Sequence, residues 1–159
     1  MLSLPQLFEE DVQCMERSMD ELLRQSDATA ALLIDKGGPL ICERGETEAF
    51  DTTTMAALAA GSFAATEAIA GLVGESNFNS VYQQGEQRSL LVSNVGPQLL
   101  LIVIFKAAHS VGAIKYFATI TSKRIALQVR IAEGRNPGSV LDLVSIDLAN
   151  TSVLFKKKA

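Results

Sequence analysis

One segment in the middle of the chain constrains the fold more than any other. From Met55 to Val73 the only charged side chain is Glu67, and the remainder is dominated by alanine and other apolar residues. The preceding run Asp51–Thr54 supplies candidate helix N-caps, and Gly74 is typical of a helix end. The segment therefore predicts a helix of about five turns whose surface is too apolar to face water alone.

The residue spacing divides this helix into two faces. The bulkier side chains recur every three or four residues along one face, and this face is predicted to pack on the core. Its residues are Met55, Leu58, Ser62, Ala65, Ile69 and Leu72. The second line contains only tiny side chains: Ala57, Gly61, Ala64, Ala68 and Gly71. Because small residues let another backbone come close, we infer a homodimer through this helix, with room for another protein on the same surface.

Two other interpretations of the same helix are open. It could be a central helix wrapped by the chain's own elements, although a domain of 159 residues has few layers to provide that cover. It could also cross a membrane, but its alanines, glycines and Glu67 make it a poor hydrocarbon segment, and no Lys or Arg cluster flanks it. We therefore expect no membrane insertion.

The segments before the middle helix predict a helix and a hairpin. Apolar residues recur at helical spacing from Leu4 to Leu22, and Pro5 suits the first turn of such a helix. Two short apolar runs, Ala30–Asp35 and Leu40–Glu43, flank a glycine-rich turn and predict a β-hairpin.

The segments after the middle helix predict more strands and a last helix. Two or three antiparallel strands are expected between Val81 and Phe105, of which Leu99–Phe105 is apolar on both faces and should be central. A third helix is expected over Ser110–Glu133, which would complete a domain over residues 1–133. Residues 134–159 are interpreted as a tail with one weakly amphipathic patch, Leu141–Leu148. The order of helix, two strands, helix, three strands, helix predicts an α+β fold with one antiparallel five-stranded sheet covered on both faces by helices.

Composition excludes several classes of function. The net charge of −4 argues against nucleic acid as a partner. Cys14 and Cys42 form no CxxC pair and His109 is the only histidine, so we expect no metal, no cofactor, no disulfide framework and no catalytic residues. The N-terminus has no basic region followed by a long apolar run, so we expect no signal peptide and a cytoplasmic protein.

Five segments in this order resemble the roadblock family, which includes dynein-associated light chains and bacterial partners of Ras-like GTPases. The similarity extends from about residue 31 to residue 133, and within the family it is greatest to bacterial gliding-motility regulators. The segments that carry it are Leu32–Gly38, Thr54–Glu75, Tyr82–Gly85, Leu101–Phe105 and Ser110–Gly112.

The resemblance implies a profilin-like fold and a homodimer in which the strands of two copies join into one sheet. It further implies that the paired middle helices form a platform for a Ras-like small GTPase, and that the dimer stimulates GTP hydrolysis by positioning the GTPase's own residues, without being an enzyme itself. Such a protein would act in bacterial cell polarity or gliding motility. The platform residues that the resemblance implies are Ala57, Ala60, Gly61, Ala64, Ala68 and Gly71, with Ala64 and Ala68 facing the partner.

Two further functions are compatible with the same sequence. The dimer could be a structural adaptor that tethers proteins without changing GTP turnover. A small-molecule sensor is the third possibility. It needs a concave apolar pocket with a few polar side chains that bind the ligand, and the sequence does not indicate such side chains.

Overall fold

The protein folds as one antiparallel five-stranded sheet between helices, which confirms the predicted α+β architecture. A computed structural model describes residues 3–135. The strand order is β2-β1-β5-β4-β3. The elements are α1 (Glu9–Ser26), β1 (Ala30–Asp35), β2 (Leu40–Gly45), α2 (Thr52–Leu72), β3 (Ser80–Gln83), β4 (Arg88–Val95), β5 (Leu99–Lys106) and α3 (Val111–Gly134).

Strand β5 lies at the centre of the sheet, as predicted. All seven residues from Leu99 to Phe105 are buried, and β5 pairs with β1 on one side and β4 on the other. Leu101, Val103 and Phe105 pack in the core that α1 and α3 cover, whereas Leu100 and Ile102 pack in the core under α2. The alternation of a strand thus supplies both cores from one apolar run.

Helix α1 begins later than the sequence predicted. It starts at Glu9, because the Asp11 carboxylate accepts a hydrogen bond of 2.8 Å from the backbone N–H of Phe8 and so satisfies a donor at the helix start. Pro5 therefore precedes the helix instead of occupying its first turn. Leu4 still packs against the core from this extended segment.

Helix α2 packs on the sheet through a face other than the one predicted from the sequence. Its buried residues are Ala56, Ala60, Phe63 and Ala70. The predicted core line is wrong, because Leu58, Ile69 and Leu72 are 69%, 53% and 86% exposed. The sheet beneath α2 already presents large side chains, so alanines are the residues that let the helix approach it closely. The alternative of a fully wrapped central helix is wrong for the same reason.

Residues 136–159 lie outside the described part of the chain. The Leu141–Leu148 patch belongs to them, so the boundary between a domain over residues 1–133 and a tail stays a prediction.

Candidate docking surface

Helix α2 is capped at its N-terminus and tied to the β1–β2 turn near its C-terminus. At its N-terminus the Asp51 carboxylate accepts hydrogen bonds from the backbone N–H and the hydroxyl of Thr54, at 3.1 and 2.7 Å. Near its C-terminus the Glu67 carboxylate accepts a 2.8 Å hydrogen bond from Nζ of Lys36, which lies in the β1–β2 turn and sits 5.6 Å from the centroid of the Phe63 ring. The only charge between Met55 and Val73 is therefore directed toward the chain's own hairpin.

The remaining exposed positions form a surface without charge, here called the outer face of α2. Its large members, Leu58, Ile69 and Leu72, are the residues that the sequence analysis had assigned to the core, and their exposure is what makes this face apolar. Their helical spacing could not reveal this, because the alanines of the true core face recur at helical spacing as well. The members are Ala57, Leu58, Gly61, Ser62, Ala64, Ala65, Ala68, Ile69, Gly71 and Leu72.

Five of the six residues proposed for the platform lie on this outer face. Ala57, Gly61, Ala64, Ala68 and Gly71 are all exposed. Ala60 is not among them, because its side chain is only 6% exposed and packs on the sheet. Its assignment to a partner-facing platform is therefore corrected, and it belongs to the core.

The two glycines of the outer face are not required by the fold of a single chain. A Cβ added at Gly61 or Gly71 would meet no atom within 4 Å apart from chain neighbours and the helix's own backbone. Glycine in a helix interior costs about 0.5–1 kcal/mol relative to alanine, and nothing in the described chain compensates for this cost. Close approach by a second molecule is a physical reason for having glycine there.

A groove runs between α2 and the strands next to it. Its volume is about 380 Å³. The helix contributes Met55, Leu58 and Phe63 to its wall, and the sheet contributes Val81 and Leu90, so the lining is largely apolar. A concave apolar site is not predicted from the sequence, because helical spacing places the bulky residues of α2 in the core.

Strand β3 forms the rim of this groove and one edge of the sheet. It contains four residues, none of them charged, and within residues 3–135 it pairs with β4 alone. Its second edge leaves backbone N–H and C=O groups available to another strand. An apolar helix face, an apolar groove and an open strand edge thus adjoin one another.

The described residues carry little that could perform chemistry. Within residues 3–135, no group of three His, Cys, Asp or Glu side chains is placed to hold a metal ion. Cys42 is buried, and this burial, with the nearby Glu16 carboxylate, raises the pKa of its thiol to about 12. Such a thiol is protonated at neutral pH and is a poor nucleophile.

Helix α2 is, among the described residues, long and apolar enough to cross a membrane by length and composition. It nevertheless lies with Ala56, Ala60 and Phe63 against the sheet and is tied to the hairpin through Glu67. A helix that packs on a sheet has one face directed away from any lipid. The surface that remains is suited to contact with another protein.

Comparisons with known proteins agree with this geometry. Residues 15–105 match the Roadblock/LC7 domain. MglB of Myxococcus xanthus is 31% identical, with 80% of this chain and 96% of that chain covered and a TM-score of 0.75. The gliding protein MglB of Thermus thermophilus is 29% identical, with 82% and 98% covered and a TM-score of 0.74.

More distant structures share the fold alone. Profilin IA of Acanthamoeba castellanii is 13% identical, with 71% of this chain and 97% of that chain covered and a TM-score of 0.52. The profilin-like fold that the sequence resemblance implied is thereby confirmed. No match was found among curated protein sequences.

Proposed function

The chain belongs to the Roadblock/LC7 domain family, and from this premise we propose that it is a homodimeric, non-catalytic regulator that binds a Ras-like small GTPase and stimulates GTP hydrolysis. The observation that carries the proposal is the uncharged outer face of α2 beside the open edge of β3. The likeness to MglB, a gliding protein, supports a regulator of bacterial gliding motility or cell polarity that acts in the cytoplasm.

The homodimer is supported by the surfaces that one chain leaves uncovered. Pairing β3 with β3 of a second copy would satisfy the open strand edge and extend the sheet. The same arrangement would bring the second α2 toward the apolar groove, where Leu58 is 69% exposed. Burying a leucine side chain contributes about 1.5–3 kcal/mol, so two copies of this surface supply a substantial apolar driving force. One similar structure is described as MglB with a tetrameric arrangement, so assembly occurs among relatives.

Binding of the GTPase is assigned to the part of the outer face that the groove does not use. Ala64 and Ala68 lie four residues apart, outside the residues that line the groove. Small side chains on two adjacent helices would form a flat platform on which another protein could settle closely. The platform proposed for the partner is Ala57, Gly61, Ala64, Ala68 and Gly71.

Stimulation of hydrolysis is proposed to occur by positioning. The outer face of α2 presents neither an arginine nor a carboxylate that could enter a nucleotide site. A contact of this kind can still accelerate hydrolysis by holding the GTPase's own residues and the attacking water in place. The dimer would then act as a GTPase-activating protein without being an enzyme.

The proposal is tested by phosphate release from the Ras-like GTPase of the same organism, loaded with GTP. The unmodified chain should raise the rate, and Ala64→Arg or Ala68→Arg should abolish the increase, because each places a charge and added bulk in the contact. Ala113→Arg is the matched control, since Ala113 is exposed on α3, on the other side of the sheet.

Each outcome of this assay has a distinct meaning. If Ala64→Arg folds normally by circular dichroism and still stimulates hydrolysis, the platform is wrong. If the unmodified chain binds the GTPase but leaves the rate flat, the chain is a structural adaptor and the proposed activation is wrong.

A further inference from the structure

A second line of exposed apolar side chains lies on α3, across the sheet from α2. Tyr116, Leu127 and Ile131 are 63%, 60% and 49% exposed, and the partly exposed Ile120 lies between them. Their spacing of four, seven and four residues places these four residues, here called the α3 stripe, on one line of the helix. No element in residues 3–135 covers it.

The end of α3 is fixed next to this stripe. The guanidinium of Arg135 pairs with the buried carboxylate of Asp11 and lies 5.0 Å from the centroid of the Phe8 ring. Because Ile131 is four residues earlier, it lies about 6 Å along the helix axis from this point. The described part of the chain therefore ends next to the C-terminal end of the stripe.

The sequence that follows has the composition of a chain reversal and then of an apolar segment. Asn136-Pro137-Gly138 is a strong turn signal, and five of the eight residues in Leu141–Leu148 are leucine, isoleucine or valine. An eight-residue segment spans about 26 Å when extended and about 12 Å when helical. The stripe is about 22 Å long, so either conformation reaches Leu127.

The charges of the segment Leu141–Leu148 are opposite in sign to those beside the stripe. Lys123 and Arg130 are exposed and lie along one side of it, and within the described residues neither takes part in an ion pair. The only charged residues of the segment are Asp142 and Asp147. A segment laid along the stripe could place carboxylates near these cations.

We propose that Leu141–Leu148 folds back and docks on the α3 stripe of its own chain. Tethering through a short connection gives the segment a high effective concentration at this site, which favours it over a separate protein. The docked segment would cover Leu127 in either conformation. The proposal does not depend on a GTPase, because it concerns the face opposite to α2.

The absence of tryptophan from the sequence gives a direct test. Leu127→Trp in the full-length chain introduces a single indole on the stripe at a position that is 60% exposed in residues 3–135. Its emission should resemble that of a covered indole and should resist quenching by acrylamide. Adding Leu141→Asp and Leu148→Asp should shift the emission to longer wavelength and increase quenching, because these two positions fall on one face of a helix and at both ends of a strand.

The matched control is Leu127→Trp with Ser139→Asp and Asn150→Asp, which adds the same charge outside the segment and should leave the indole covered. Equal quenching in the Leu141→Asp, Leu148→Asp chain and in this control would overturn the proposal. Protection that disappears on dilution would also overturn it, because the occupant of the stripe would then be a second copy.

Discussion

Asp11 shows how a single buried side chain can join two helices of a small domain. Its carboxylate is 1% exposed and accepts hydrogen bonds from the backbone of Phe8 and from Gln128, and it pairs with Arg135. Burial alone raises the pKa of Asp11, but these donors together lower it below its ordinary value. The start of α1 and the end of α3 are thus connected through one charged group.

The lowered pKa of Asp11 predicts a dependence of stability on pH. A carboxyl whose pKa falls on folding stabilises the native state above its unfolded pKa of about 3.9, and this contribution is lost as the pH falls through the folded-state value. Asp11→Asn should therefore lower the free energy of unfolding at pH 7 by about 1–3 kcal/mol, since the Arg135 pairing loses its charge. The difference between the two chains should shrink below pH 4. Urea unfolding at several pH values measures it, and a constant difference down to pH 2 would contradict this role.

At the scale of elements, the order and type of the helices and strands could be predicted from the sequence, but the orientation of α2 could not. The run Leu99–Phe105 is apolar at every position and so indicates a central strand without ambiguity. Helix α2 is apolar on all sides, so its periodicity does not distinguish the face on the sheet from the face in solvent. Side-chain size does not identify the core face either, because Ala56 and Ala60 pack on the sheet where the sequence predicts Leu58.

Two neighbouring positions of α2 provide a test of this orientation. Gly61→Ala should stabilise an isolated chain by about 0.5–1 kcal/mol, because the added methyl group meets no atom within 4 Å and alanine favours a helix. The same change should weaken self-association if a second backbone approaches there. Ala60→Leu should instead destabilise the chain by about 1–3 kcal/mol through overpacking on the sheet.

Urea unfolding at low protein concentration measures both stabilities, and sedimentation measures association. An Ala60→Leu chain as stable as the unmodified one would show that α2 is rotated relative to the orientation described here.

At the scale of the whole molecule, the two sides of the sheet present different kinds of surface. The α1 and α3 side carries ion pairs between Arg124 and Glu21 and, at the sheet edge, between Arg44 and Asp20. The α2 side has one ion pair, Lys36 with Glu67, in the part of the chain that the structure describes. The proposed assembly through the α2 side would therefore depend mainly on apolar area.

Two exposed leucines on opposite sides test which side assembles. Leu58→Asp should convert the proposed homodimer to a single chain with a mass of 17.0 kDa, because it places a carboxylate in the apolar groove. Leu127→Asp, on α3 with a similar exposure, should leave the dimer intact. Light scattering after size-exclusion chromatography gives the masses. An unmodified chain that elutes as a single protomer at high concentration would contradict the dimer.

The direction of Glu67 toward Lys36 has a kinetic consequence. The outer face of α2 presents no charged side chain to an arriving protein, so encounters there lack the local steering that speeds association between oppositely charged surfaces. Most encounter complexes would therefore dissociate, and selectivity between partners would depend on the dissociation rate of the final complex. Added salt should then change the association rate constant very little.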